Sequence, residues 1–436
     1  MYMLDKDIIN CRDTIVGIDT LVKNIYGEDT KYINFDNAAT TPPFKNIFDE
    51  LEKYMNYYAS VGRGVGYKSK ISSDLYNKSR QRVKKFFDIN DERYTVIYSM
   101  NTTQSINILA NALVKSKKDI VISTRMEHHS NDLPWRKYAT VKYVEVDEKG
   151  KLKVEQFEKL CKKYLGKVKV VTVTGASNVT GYINDVHYIA KIAHKYNAVI
   201  VVDGAQLVPH KKINILGSCK EEEIDFMVFS AHKMYAPFGT GVIVGKIDRF
   251  NEKYPFISGG GTVDIVGHDR VFWLKAPKKE EGGTPNVAGV LSLITAMDDM
   301  ENIGLDKIEL QENLLKDYFT EKIMKIPEVT LYYDPDDKKR VSVCCFNIKG
   351  HRHQELAEYL GNKECIGIRT GCFCAQPYVK KLLGIKDSDT FIFASDKSLY
   401  TPGMIRVSFA FYNTVEEIDY FIEAVKRFIK ITADKK

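Results

Sequence analysis

The chain has 436 residues, 44% of them hydrophobic and 28% charged, which excludes a disordered tail protein, a collagen-like repeat and a small disulfide-stapled scaffold. Its net charge of +7 is spread over short stretches such as Lys115–Lys118, Lys278–Lys279 and Lys338–Arg340, so a solvated surface explains it better than a nucleic-acid footprint. Eight cysteines without zinc-ribbon spacing, a first segment (MYMLDKDIIN) without a signal-type apolar core, and no membrane-length apolar run predict a reducing cytoplasm with free thiols.

The length predicts two domains. From 94 to 245, short apolar strands alternate with amphipathic helices. Strands are predicted at Tyr94–Ser99, Asp119–Ser123, Val141–Val146, Val168–Thr174, Ala198–Asp203, Asp225–Ser230 and Gly241–Val244. Helices are predicted over Thr102–Val114, Lys153–Tyr164 and Val186–Tyr196. This alternation implies βαβ units and a largely parallel sheet. Ala198–Asp203 is apolar at successive positions, as a strand covered on both faces requires. After Gly304 the texture changes to α+β, suggesting a second domain. A helix over Leu305–Ile326 stops at Pro327; strands follow at Val329–Tyr333 and Val341–Ile348, then helices at Gln354–Leu360 and from Val415 to about Ile431.

Four motifs lie at or just after the ends of predicted strands. Asp203 ends one strand, and an acid there faces the crevice where parallel sheets bind ligands. Lys233 follows a later strand, in Ser230-Ala231-His232-Lys233. An ordered acid and lysine are the two groups a pyridoxal phosphate (PLP) enzyme needs: an amine for the aldehyde, a carboxylate for the ring nitrogen. Ser99-Met100-Asn101-Thr102-Thr103 opens a helix and offers N–H groups and hydroxyls to a phosphate; alone it would be an ordinary cap by Asn101 or Thr102. Glu127-His128-His129 offers a flat imidazole to stack on a cofactor ring, because adjacent histidines point different ways and suit a shared metal poorly.

Further segments occur in the same order: Asn34-Phe35-Asp36-Asn37-Ala38-Ala39-Thr40-Thr41-Pro42, Ser177-Asn178-Val179, Gly283-Thr284-Pro285-Asn286, Arg369-Thr370-Gly371-Cys372-Phe373-Cys374-Ala375 and Arg406-Val407-Ser408. With them, the chain resembles the class V aminotransferase family of PLP-dependent enzymes, closest to the SufS-like cysteine desulfurase/selenocysteine lyase branch. The resemblance runs from about residue 30 to the C-terminus. It implies the fold type I (aspartate aminotransferase-like) architecture, with a mainly parallel seven-stranded sheet in a large domain at 35–304. A smaller α+β domain would comprise 305–436, with the arm at 1–34. It implies a homodimer.

The resemblance also assigns roles. Lys233 would be the Schiff-base lysine and proton shuttle, and Asp203 the partner of the pyridine nitrogen. Gln206 and Asn178 would contact the ring hydroxyl, and His128 would stack on the ring. Thr103, Ser230 and His232, with Thr102, would hold the phosphate, and Thr284 would reach the phosphate of the other subunit. Arg406 would grip the substrate carboxylate, with Arg369 near it. Cys374 would take sulfur from L-cysteine as a persulfide, leaving L-alanine, and a sulfur-acceptor protein is a possible partner. The alternative is another class V reaction (transamination, epimerisation or selenocysteine cleavage) in which Cys374 is not catalytic.

The thiol segment departs from the family pattern. Cys372-Phe373 stands where two histidines are usual, and Gly62-Arg63-Gly64-Val65-Gly66 replaces a His-Arg-Gly-x-His pattern. The connection from Cys374 to Arg406 is longer than in SufS-type proteins, with an added segment at about 386–400. Cys372 offers a second thiol. A reactive thiol needs an exposed loop and nearby positive charge, expected from Arg369, His351 or His353.

Overall fold

The computed structural model describes residues 11–250, 252–386, 388 and 401–434. The segment at about 386–400 therefore lies almost wholly outside the described residues, as do the first ten residues of the arm. Seven strands form the central sheet: β1 (Tyr94–Ser99), β2 (Ile120–Thr124), β3 (Thr140–Val144), β4 (Val168–Thr174), β5 (Val199–Asp203), β6 (Phe226–Ser230) and β7 (Gly241–Lys246). Their spatial order is β1-β7-β6-β5-β4-β2-β3, and only β7 runs against the rest. All seven match predicted strands to within two residues at each end.

The apolar runs explain this register. Val170, Val171, Ile200, Val201, Val202, Met227 and Val228 are fully buried, each Val or Ile contributing about 1.5–3 kcal/mol. Alternate residues feed two cores: Val171, Val202 and Met227 join one, Val170, Val201 and Val228 the other. Helices α1 (Tyr67–Phe86), α2 (Thr102–Leu113), α3 (Val186–Lys195) and α4 (Val287–Ile303) cover the faces. Gly241 opens β7 where no side chain fits: an added Cβ would lie 2.5 Å from the Asn101 carbonyl carbon. The strand thereby packs tightly under the turn that starts α2.

Beyond α5 (Leu305–Ile323), a four-stranded antiparallel sheet forms from β8 (Val329–Leu331), β9 (Val343–Ile348), β10 (Arg369–Gly371) and β11 (Met404–Ser408), in the order β8-β9-β11-β10. Helices α6 (His353–Asn362), α7 (Gln376–Leu382) and α8 (Val415–Ala433) belong to the same region. Its core includes Phe319, Phe346, Phe409 and Phe421, and takes Ile33 and Phe35 from near the N-terminus. Ile33–Asn34 pairs in parallel with Ile366–Gly367. Arg12 meets Glu417 at 2.6 Å, so the arm is fastened to α8. The α5 helix ends at Ile323, three residues before the expected stop, with a turn before Pro327. Among the described residues, no helix is long and apolar enough to cross a membrane.

Candidate functional site

Because β1, β2, β4, β5 and β6 run the same way, the turns after them open on one edge of the sheet. A cavity of about 270 Å³ lies there. It gathers Thr102 and Thr103 after β1, His128 after β2, Asn178 after β4, Asp203 and Gln206 at and after β5, and Ser230, His232 and Lys233 at and after β6. Arg369, Cys374 and Arg406 reach it from the other side. Twelve of the thirteen residues expected to act together thus line one space. The thirteenth, Thr284, is exposed on the segment before α4 and does not line its own chain's cavity.

The floor is electrostatically tense. Burial lowers the Lys233 amine from the usual 10.5 to about 8, while Asp203 and Cys374 pull it up and Arg406 and Arg369 push it down. Roughly a tenth of such an amine is neutral at pH 7. Burial pushes the Asp203 carboxyl up, against the Ala205 N–H (3.0 Å) and Lys233, which favour the carboxylate. Burial, together with Lys233, His129 and Arg406, lowers His128 to about 3, so its imidazole is neutral. The Ser130 N–H donates to His128 Nδ1 at 3.1 Å, placing the ring proton on Nε2. Burial and Lys233 hold His232 at about 4.

Hydroxyl groups fill the end of the cavity next to α2. Thr102 N–H donates to Ser230 Oγ (2.8 Å), which also meets Thr102 Oγ1 (2.7 Å). Thr103 Oγ1 and Ser130 Oγ lie 2.6 Å apart. Asn101 caps the helix, accepting from the Gln104 N–H at 3.0 Å, so the ordinary cap and the cavity lining coexist in one turn. Hydroxyl donors can turn toward an anion without backbone movement. Amine, carboxylate, flat neutral imidazole and hydroxyl cluster together suit a flat heteroaromatic aldehyde with an anionic tail.

The opposite end is built for a carboxylate. Arg369 and Arg406 are cross-strand partners in β10 and β11, so two guanidinium groups stand side by side. Like charges so placed repel, and Asp36 answers both, at 3.0 Å from Arg406 and 3.5 Å from Arg369. Arg406 is buried; Nη1 donates to the Asn178 carbonyl (3.0 Å) and Nη2 to Asp36 Oδ1, while Nε has no hydrogen-bond partner among the described residues. That arrangement holds one guanidinium edge and leaves a donor for a ligand carboxylate. Asp36→Ala is expected to raise the KM for an amino-acid substrate about tenfold with kcat changed less than about twofold. Steady-state kinetics checks this; an unchanged KM would show that Arg406 orients itself.

The thiol loop is exposed but tethered. Gly371, Phe373 and Cys374 all have positive φ, the last two +50° and +53°. Each non-glycine residue there costs about 1–3 kcal/mol and persists only where its surroundings hold it. Asn178 Nδ2 donates to the Phe373 carbonyl (2.7 Å), and the His129 N–H to the Cys374 carbonyl (2.6 Å). The Arg406 guanidinium lies over the Phe373 ring, 5.1 Å from its centroid. Cys374 is exposed and lines the cavity. Cys372 does not line it; its Sγ donates to the Pro402 carbonyl at 3.3 Å, and burial raises its pKa.

The positive groups expected beside the thiol are corrected in part. Of the expected positive groups, Arg369 lines the cavity and His351 and His353 do not. His353 bonds Thr370 and the Thr401 carbonyl and burial lowers its pKa, while His351 packs against Phe428. Lys233 and Arg406 also share the cavity with the thiol. Asn178 and Gln206 line the site, but their amides donate to the carbonyls of Phe373 and Ala38. The residue pattern named no role for Asp36, Glu127, His129 or Ser130. Glu127, pushed up to about 8 by burial, accepts from Thr124, Asn131 and the Thr174 N–H, bracing the ends of β2 and β4. Asp36 and Glu127 stood inside quoted motifs, and that adjacency was their only sequence signal.

Comparison with known proteins agrees with this geometry. The model of the family described as aminotransferase class-V matches residues 33–421. A probable cysteine desulfurase of Halalkalibacterium halodurans is 34% identical, over 93% of this chain and 95% of the relative. A cysteine desulfurase of Haloferax volcanii is 31% identical over 97% of both chains. Among solved structures, the apo cysteine desulfurase from Thermococcus onnurineus superposes with a TM-score of 0.80 at 32% identity, covering 92% of this chain and 95% of that one.

Proposed function

The chain belongs to the class V aminotransferase family, and from that premise we propose that it is a PLP-dependent cysteine desulfurase, converting L-cysteine to L-alanine with sulfur passed to Cys374. The observation that carries this reading is the exposed Cys374 thiol in the same cavity as the buried amine of Lys233. The names of the relatives support it.

The donor set of the cavity fits pyridoxal phosphate. Lys233 would anchor its aldehyde, Asp203 would face the ring nitrogen, and His128 would lie on the ring. Gln206 and Asn178 would face the ring hydroxyl, Thr102, Thr103, Ser230 and His232 the phosphate. A buried carboxylate raised by burial gains most from a protonated ring nitrogen, which supplies the missing charge. Bound there, the cofactor acts as an electron sink for carbanion character at the substrate α-carbon.

The chain's own groups do the rest. Arg406 binds the substrate carboxylate, aided by Arg369, and so directs the substrate side chain to the Cys374 side of the cavity. Lys233 Nζ removes the α-proton and later returns a proton. Cys374 Sγ, as thiolate, forms an S–S bond with the substrate sulfur while the substrate C–S bond breaks. The bonding electrons remain on the carbon skeleton, which is protonated to alanine. A reductant then frees the sulfane sulfur as sulfide, or an acceptor protein takes it.

A homodimer is the proposed unit, with the exposed Thr284 serving the phosphate site of the second copy. We assign 1–34 as arm, 35–304 as large domain and 305–436 as small domain, in a cytoplasmic protein. The test is incubation of purified protein with L-cysteine and dithiothreitol. Equal amounts of alanine and sulfide are expected, while a keto acid without sulfide would overturn the reading.

A further inference from the structure

His129 has no part in the chemistry above, yet it touches the thiol loop twice. Its main-chain N–H donates to the Cys374 carbonyl at 2.6 Å. Its ring Nε2 accepts from the Gln376 N–H at 3.2 Å. Gln376 is the first residue of α7, whose leading N–H groups have no partner within the helix. The neighbouring His128 is the neutral ring that lines the cavity. The cofactor face and the nucleophile loop are therefore joined through one dipeptide.

We propose that His129 is a positioning residue for Cys374, a latch whose neutral imidazole holds the thiol loop against the cavity and whose protonation releases it. The inference rests on the desulfurase reading for its effect on turnover, but not for its effect on the loop. Only a neutral ring has a lone pair on Nε2; the imidazolium carries N–H on both nitrogens and would face the Gln376 N–H with a second donor. The lone pair survives because His129 is half-buried: burial lowers its pKa, Arg136 and Lys380 lower it further, and Asp132 works the other way. His128, which faces it from the same turn, is neutral. The latch is thus closed at neutral pH and opens as the pH falls below the ordinary histidine range. The paired left-handed residues Phe373 and Cys374 give the loop a reason to move once the contact is lost.

The test compares holoenzyme of the native chain with the His129→Ala and His129→Gln variants between pH 5.5 and 8. Two rates are read: iodoacetamide alkylation of Cys374, located by peptide mass spectrometry, and alanine formation from cysteine. At pH 7.5, His129→Ala is expected to alkylate several-fold faster and to form alanine about tenfold more slowly, the scale expected of a nucleophile displaced by less than an ångström, since a full ångström can cost about 10²-fold. Glutamine keeps an acceptor oxygen and does not titrate, so His129→Gln should restore both rates to within about twofold. At pH 5.5 the native chain should alkylate faster relative to His129→Gln than it does at pH 7.5. Equal alkylation of the native chain and His129→Ala overturns the latch, as does a native-to-glutamine ratio that is flat with pH. The pH comparison stands even where the alanine variant does not fold. Absence of alanine formation in the native chain would overturn the desulfurase reading instead, while the alkylation ratios still decide the latch.

Discussion

Lys233→Ala is expected to lower alanine formation from cysteine by about 10³-fold or more, since it removes both the anchor and the acid–base group. The effect is large because the neighbouring histidines and arginines are poor replacements for it. His128 and His232 are held near 3 and 4, too weakly basic to accept the α-proton at neutral pH. The guanidinium groups of Arg369 and Arg406 offer hydrogen-bond donors and no acceptor. Lys233, lowered to about 8 by burial, is the group in the cavity whose proton can leave and return near neutrality. The sign of its pH dependence follows: between pH 6 and 7 the neutral fraction of the free amine rises about tenfold, and it levels off above about pH 9. Uptake of pyridoxal phosphate by cofactor-free protein, followed by its visible absorbance, should rise over the same interval. An added small amine, such as methylamine, should restore part of the lost turnover by carrying the proton. Turnover in Lys233→Ala within tenfold of the native rate, with cofactor bound, would assign the proton transfer elsewhere.

Much of this site was legible because its residues sit at the ends of strands whose apolar runs announce them. Val168–Thr174 and Val199–Asp203 are read locally, so Asp203 falls at the open edge as a matter of strand length. Lys233 follows from β6 in the same way. What stayed hidden depends on long-range register. The pairing of Arg369 with Arg406 joins two short strands 37 positions apart, and neither strand shows a local apolar pattern strong enough to predict it. Asp36 earns its place only once Asp36 bridges to Ser408 beside that pair. Likewise, the α1 and α4 helices were not predicted. The α1 helix buries four small or polar residues (Ser69, Ser72, Ser79 and Lys84), which weakens an apolar stripe as a signal. His129 reads as one half of a loop pair in sequence, and the N–H its ring accepts from comes from 247 positions away.

Cys374→Ala separates the desulfurase from its relatives in reaction type. The expected result is a fall in cysteine desulfuration of about 10²-fold or more, with cofactor absorbance and proton exchange at the substrate α-carbon retained. Removal of the α-proton depends on Lys233, Asp203 and Arg406, which the substitution leaves in place. Cleavage of the C–S bond depends on a nucleophile for sulfur, and Cys374 is the exposed thiol in the cavity. Cys372 cannot replace it as the loop stands: its Sγ is bonded to the Pro402 carbonyl, and burial disfavours its thiolate. Cys372→Ala should accordingly keep desulfuration within about threefold of native. Selenium leaves carbon more readily than sulfur and needs less help from a thiol, so selenocysteine cleavage should survive Cys374→Ala better than cysteine cleavage. Alanine, sulfide and selenide measured side by side, with hydrogen–deuterium exchange at the α-carbon, decide the matter. Undiminished cysteine desulfuration in Cys374→Ala would overturn only the assignment of Cys374 as the sulfur nucleophile, leaving the family and the Lys233 chemistry intact. Loss of α-proton exchange together with desulfuration would instead show that the thiol loop also shapes the site around Lys233.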